Sequence, residues 1–125
     1  MFSHVVLGSN DLPKAKSFYD ALFGAVGGNP GHDGGDRVSY SHNDGMLVIT
    51  TPINGEPATY ANGGTLGFKL DSAEQVKAWH DAGVANGGKS IEDPPGPRQF
   101  GERQLHLAYL RDPDGNKLCG LHMAA

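Results

Sequence analysis

His4, Cys119, Arg98 and Lys69 are the side chains of this sequence whose chemistry is most open to use. His4 heads the apolar stretch Phe2–Gly8, and a neutral imidazole there can act as general base or orient a ligand near pH 7. The same histidine can equally fill a strand end and bond a carbonyl. Cys119 is the single thiol. It becomes a nucleophile only if a nearby cation or helix N-terminus lowers its pKa; otherwise it behaves as a small buried apolar group. Arg98, within EDPPGPRQFGER, can clamp a carboxylate in a fork geometry, and Arg103 is a poorer candidate of the same kind. Lys69 is expected to point inward, where it either neutralises an anionic ligand or snorkels to a rim. The other histidines, His32, His42, His80, His106 and His122, read as structural or solvated, because no HxH or HxxxH pair gives a metal-ligand spacing. The Gly27-Gly28 and Gly34-Gly35 pairs form neither GxGxxG nor a P-loop, which excludes nucleotide phosphate binding on this basis.

The elements that position these residues come twice. Lys16, Phe18, Asp20 and Ala21 match Lys77, Trp79, Asp81 and Ala82 at one offset of 61 (77 − 16). A hairpin signal also recurs, Asn43-Asp44-Gly45 and then Pro113-Asp114-Gly115, at an offset of 70 (114 − 44). A repeat this long is one supersecondary unit used twice, each needing its copy to bury an apolar face. Within the first unit, Phe2–Gly8 reads as a strand. Asp11–Gly24 reads as a helix with Pro13 in its first turn, followed by a short strand in the glycine-rich stretch 25–36 and the hairpin Arg37–His42, Met46–Thr51. The second unit reads Thr65–Leu70 as strand and Ser72–Ala85 as a helix opened by the Ser72/Gln75 capping box. One short strand with a loop is expected in Lys89–Gly101, then the strands Gln104–Leu110 and Asn116–Met123. This is an α+β plan, strand-helix-three strands in each half, with helices covering an antiparallel sheet. The modules span about 1–56 and about 64–125 of a single 125-residue domain.

Strand alternation assigns faces. Val5 and Leu7 lie under the helix, leaving His4, Val6 and Gly8 on the opposite face. At the offset of 61, Leu66, Phe68 and Leu70 are buried, and Thr65, Gly67 and Lys69 face inward. The hairpin offset of 70 makes Ile49 the counterpart of Cys119, so both are expected on the inner wall. Leu105, Leu107 and Tyr109 compete with Ala108 and Leu110 for the buried face.

Composition bounds the partners. A net charge of −4 argues against nucleic acid or an anionic membrane surface, both of which attract basic patches. There is no apolar export segment and no run of about 18 apolar residues. A lone cysteine suits a reducing cytoplasm, the expected location.

The opening HVVLGSNDLPKAKSFYDALFG and the close YLRDPDGNKLCGL resemble the vicinal oxygen chelate superfamily, which includes glyoxalase I, extradiol dioxygenases, fosfomycin-resistance enzymes and bleomycin-binding proteins. The likeness covers nearly the whole chain. It implies two βαβββ modules pairing into a cupped mixed sheet with helices outside, a small-molecule ligand in the cup, and a homodimer. It also implies metal ligands at equivalent strand positions, which here fall on His4, Ile49, Thr65 and Cys119. Isoleucine offers no donor and neutral threonine is a poor one, so no metal site is assigned, and a divalent metal stays only an alternative. His4 is then the catalytic candidate, and Ile49, Thr65, Lys69, Arg98 and Cys119 are the substrate-binding candidates. The resemblance implies a lyase or other glyoxalase-like enzyme acting on a compact polar metabolite, its reaction unassigned. The alternative is a metal-free binding or sequestering protein of bleomycin-resistance type, favoured by apolar inward positions such as Val6, Leu47 and Ile49. A partner-binding domain ranks last, since no charged stripe or exposed helix pattern marks a protein surface.

Overall fold

In the computed structural model, which describes residues 1–124, the chain folds as the same βαβββ unit twice. The first module runs β1 (Val5–Gly8), α1 (Leu12–Gly24), β2 (His32–Asp33), β3 (Arg37–His42) and β4 (Gly45–Thr50). The second runs β5 (Leu66–Lys69), α2 (Ala73–Ala85), β6 (Lys89–Phe100), β7 (Arg103–Arg111) and β8 (Lys117–Met123). Each forms its own four-stranded mixed sheet, in the orders β1-β4-β3-β2 and β5-β8-β7-β6. The first strand of each module pairs in parallel with the last, and the remaining pairs are antiparallel.

Local chemistry fixes both helices. The Asp11 carboxylate accepts from the Lys14 N–H at 3.1 Å, capping α1. The Ser72 hydroxyl accepts from the Gln75 N–H at 3.1 Å, and the Gln75 amide oxygen reaches back to the Asp71 N–H at 2.8 Å. Helical spacing then buries Ala15, Phe18, Tyr19, Leu22 and Phe23 on α1, and Val76, Trp79, His80 and Gly83 on α2. The helices meet where Leu22 faces Gly83. A Cβ at Gly83 would stand 2.4 Å from Leu110 Cδ1 and 3.2 Å from Leu22 Cδ1, so only glycine permits this approach.

Residues of both modules share one core, with Phe18, Tyr19, Leu22, Ile49, Val76, Trp79, Leu110 and Leu118 all at most 1% exposed. The loop between β7 and β8 also clasps the first module. Asp112 accepts from the Tyr19 hydroxyl at 2.6 Å, Asp114 from the Asn10 N–H at 2.8 Å, and the Asn116 amide donates to the Gly8 carbonyl at 3.2 Å.

Two expectations needed correction. The stretch Lys89–Gly101, predicted as one short strand with a loop, is a twelve-residue strand interrupted by a bulge between Ile91 and Gly96. It lies at a sheet edge, where prolines remove no needed ladder bond, so pairing resumes beyond them. The second correction concerns register. The first hairpin turns on two residues, Asn43 and Asp44, both with positive φ (47° and 64°), as a tight primed turn requires. The second hairpin holds three residues, Pro113 to Gly115, between Asp112 and Asn116, which are joined by a 2.9 Å backbone bond. That extra residue raises the offset from 70 to 71 after the turn. Val48 (119 − 71) is therefore the counterpart of Cys119, as the parallel partners Val6↔Val48 and Gly67↔Cys119 show. Ile49 corresponds instead to Gly120.

Candidate functional site

On β8 the side chains alternate between two environments. Leu118 lies in the core, and a Cβ at Gly120 would meet Trp79 at 2.8 Å, so both face the helices. Lys117, Cys119 and Leu121 take the opposite, open face. On β7, Ala108 and Leu110 belong to the core, which resolves the competition there and puts Leu105, Leu107 and Tyr109 on the open face. On β5, Leu66 and Phe68 pack against the core, while Gly67 and Lys69 face outward.

The open face of the second sheet thus gathers a polar group. Tyr109 and Cys119 are direct cross-strand partners. The Lys117 ammonium lies 5.0 Å from the centre of the Tyr109 ring and forms an ion pair with Glu92. Glu92 reaches this place from the β6 bulge with φ +59°, a left-handed conformation uncommon for such a residue. Burial pushes the Cys119 thiol up in pKa; Tyr109, Lys117 and Arg98 oppose this shift and Glu92 adds to it. Burial likewise pushes the Tyr109 phenol up, helped by Cys119 and Glu92 and opposed by Arg98. Both groups are protonated at neutral pH. The thiol is only 7% exposed, and its S–H donates weakly to the Gly120 carbonyl at 3.8 Å. The arrangement offers a phenol donor and an ammonium beside a neutral thiol, suited to holding an anionic or carbonyl oxygen rather than to thiolate attack.

The candidates named from sequence fall into three places. Cys119, Lys69 and Thr65 belong to the second sheet or its leading edge, Thr65 lining a hollow with Gly67 and Lys117. Arg98 is close enough to act on Cys119 and Tyr109, but its terminal nitrogens are taken up by backbone. One meets the carbonyls of Gly96 and Pro97 at 3.1 and 3.3 Å, the other those of Asp93 and Pro94 at 3.2 and 2.9 Å. Arg98 therefore staples the bulge that carries Glu92, in place of the free carboxylate clamp expected of it. His4 stands exposed just before β1, its Nδ1 2.7 Å from the Ser3 hydroxyl, which leaves Nε2 available. Ile49 is corrected: it is 1% exposed in the core on the helix side, and aliphatic Val48 takes the open-face position.

Four matched positions therefore read His4, Val48, Thr65 and Cys119. Valine has no donor and threonine is a poor neutral one, so only His4 and Cys119 offer ligand atoms, fewer than the three or four such a site needs. Among the described residues, no three His, Cys, Asp or Glu side chains cluster so as to hold a metal ion. These residues do not fit the divalent metal that the resemblance implies.

Sequence reasoning missed Glu92, Lys117 and Tyr109. Alternation could have found Tyr109 and Lys117 once Cys119 was placed, since Tyr109 faces Cys119 and Lys117 precedes it by two. Nothing in the sequence announces the left-handed turn that brings Glu92 in.

The family model described as Glyoxalase/Bleomycin resistance protein/Dioxygenase superfamily matches residues 1–119. The crystal structure of a glyoxalase/bleomycin resistance protein from Albidiferax ferrireducens T118 is 56% identical, with a TM-score of 0.94 over 98% of both chains. A glyoxalase-related enzyme from Fulvimarina pelagi shares the fold at 20% identity and TM-score 0.74, over 98% of this chain and 88% of that one. Lactoylglutathione lyase from Agrobacterium tumefaciens does so at 21% identity and TM-score 0.64, over 98% and 92%. No curated protein matches the chain.

Proposed function

The chain belongs to the glyoxalase/bleomycin resistance protein/dioxygenase superfamily, and from that premise we propose that it is a glyoxalase-like enzyme acting on a compact polar metabolite at the open face of its second sheet. The observation that carries this reading is the Tyr109–Cys119–Lys117–Glu92 group on that face. Lys117 and the Tyr109 hydroxyl hold an oxygen of the substrate and stabilise negative charge developing on it. Glu92 fixes the ammonium, and Arg98 holds the bulge that aims Glu92. Thr65 and Lys69 border the ligand, and His4, exposed on the first module with Nε2 free, is the candidate for proton transfer. No step is routed through a metal.

The proposal includes a homodimer and a cytoplasmic setting. Phe2, Val6 and Met46 of the first module are left 79%, 49% and 44% exposed, which supports burial against a second copy. The one thiol suits a reducing compartment. No helix of the described residues is long and apolar enough to cross a membrane.

The test is turnover of a panel of dicarbonyls, thiol adducts and epoxides by protein purified without an affinity tag. The expected result is turnover of one class, reduced at least about tenfold in Lys117→Met and Tyr109→Phe, the range for a lost charge-stabilising donor. Failure to turn over any of them, together with thermal stabilisation by one, would replace catalysis with sequestration.

A further inference from the structure

Three asparagines of this chain stand directly before a glycine, Asn54, Asn62 and Asn86. Two of them lie in the same tetrapeptide, since Ala61-Asn62-Gly63-Gly64 recurs letter for letter as Ala85-Asn86-Gly87-Gly88. Asparagine is a thermolabile residue, and before glycine it loses ammonia without an enzyme. The glycine backbone nitrogen, unhindered by a side chain, gives its proton to solvent base and attacks the asparagine side-chain carbonyl carbon. Ammonia leaves as a succinimide ring closes, and water then opens either ring C–N bond to give aspartate or isoaspartate. Ring closure requires the amide side chain and the next peptide N–H to be free to swing together. Identical neighbours give Asn62 and Asn86 one intrinsic rate, so a difference between them comes from the fold.

The fold treats them differently. Asn86 closes the C-terminal end of α2, and its amide donates to the Ala82 carbonyl at 2.8 Å. Its own N–H and that of Gly88 both bond the Gly83 carbonyl, at 3.2 and 2.8 Å. Gly87 lies against both modules, where a Cβ would meet Lys14 at 3.6 Å and Pro113 at 3.7 Å. Asn54 sits in a turn that engages both reacting groups. Its side-chain oxygen accepts from the Glu56 N–H at 3.0 Å, and the Gly55 N–H donates to the Pro52 carbonyl at 3.2 Å. Asn62 has neither restraint. It is exposed in the connection between the modules, and a Cβ at Gly63 would meet nothing within 4 Å. The Gly64 N–H closes that turn onto the Ala61 carbonyl at 3.1 Å, a bond that uses neither the Asn62 amide nor the Gly63 N–H.

We propose that Asn62 is a site of spontaneous covalent modification, deamidating to aspartate and isoaspartate while the fold protects Asn54 and the same tetrapeptide at Asn86. Either product puts a negative charge into the link between the modules. Isoaspartate also routes the main chain through the former side chain, adding one methylene shortly before β5. The modification uses none of Tyr109, Cys119, Lys117 or Glu92, so it stands whether or not the open face is catalytic.

The test is incubation of the full chain in mildly alkaline buffer, followed by digestion and mass spectrometry of the three Asn-Gly peptides. Breaking one hydrogen bond slows the reaction about fivefold. Asn62 is therefore expected to convert at least about fivefold faster than Asn54 or Asn86 in the folded chain. In guanidinium chloride, Asn62 and Asn86 should convert at the same rate. Asn62→Gln, whose longer side chain closes a ring poorly, should remove the fast phase and leave the two slow sites unchanged. No conversion at Asn62, equal rates at Asn62 and Asn86 in the folded chain, or a difference that survives in denaturant overturns the proposal.

Discussion

The two modules share one connectivity but divide the work between them. On the open face, the first sheet presents Val6, Met46 and Val48, and the second presents Tyr109, Lys117 and Cys119 with Glu92 above them. On the helix side the contrast is one of volume. Phe18 and Ile49 in the first module correspond to Trp79 and Gly120 in the second, a larger ring against a smaller strand residue. The hairpins differ as well. The first is a bare two-residue turn, whereas the second is a longer loop whose Asp112 is buried and accepts four hydrogen bonds, from Tyr19, Asp114 and two groups of Asn116. Duplication supplied the frame. The polar face and the clasp onto the first module belong to the second copy alone.

The clasp gives the largest expected effect. Asp112→Ala leaves the Tyr19 hydroxyl and the Asn116 backbone N–H without a partner in a buried setting, and leaves the Asn116 amide only the Gly8 carbonyl, at a cost of about 3 kcal/mol or more in denaturant unfolding. Asp44→Ala, in the matching turn of the first module, faces only its own left-handed φ of 64° and should cost about 1 kcal/mol. Equal losses at the two sites would show that the loop is no more than a turn. The volume exchange comes next. Gly120→Ile drives a side chain into Trp79 and Leu70 and should destabilise by about 2 kcal/mol. Adding Trp79→Phe recreates the first module's pairing and should recover part of that loss, with a coupling energy of about 1 kcal/mol in the double-mutant cycle. Strict additivity would mean the two modules are not packed as alternatives of one design.

Much of this frame was legible because it rests on local chemistry. Asp11 and Ser72 announce helix starts through caps that need no tertiary partner, and Asn43-Asp44-Gly45 announces a turn through its tolerance of positive φ. Register was not legible. A single residue added between Asp112 and Asn116 moves every later side chain to the other face, because the strand period is two, and so spacing points to Ile49 where the structure has Val48. The site's polar partners were hidden for a related reason. Glu92 arrives through a bulge whose shape depends on Arg98 reaching four carbonyls, an arrangement that sequence spacing does not encode. The long edge strand β6 was equally hidden, since its prolines read as a loop until the sheet order shows that they lie at an edge.

The finest test concerns the pair that first revealed the repeat. Lys16–Asp20 and Lys77–Asp81 are both i,i+4 ion pairs, yet only the first is tied into the fold. Asp20 is partly desolvated, which alone would raise its pKa, but the Gly31 N–H, Lys16 and the Tyr40 hydroxyl outweigh this and hold it below the usual carboxylate value. An acid whose folded pKa is depressed contributes stability above its unfolded pKa of about 4 and loses it as the pH falls through the folded value. Asp20→Asn should therefore cost about 1–2 kcal/mol at pH 7, and the deficit against the unsubstituted chain should close as acid is added. Asp81 is also held low, by Lys77 and His80, but its side chain is 53% exposed, so water and salt screen the gain. Asp81→Asn should change stability by no more than about 0.5 kcal/mol, and by less still in high salt. Thermal unfolding of the two variants side by side, at pH 7 and again near pH 3, checks both signs. If Asp81→Asn matched Asp20→Asn in size, the repeat would be energetic as well as topological, and the asymmetry drawn between the modules would not extend to their helices.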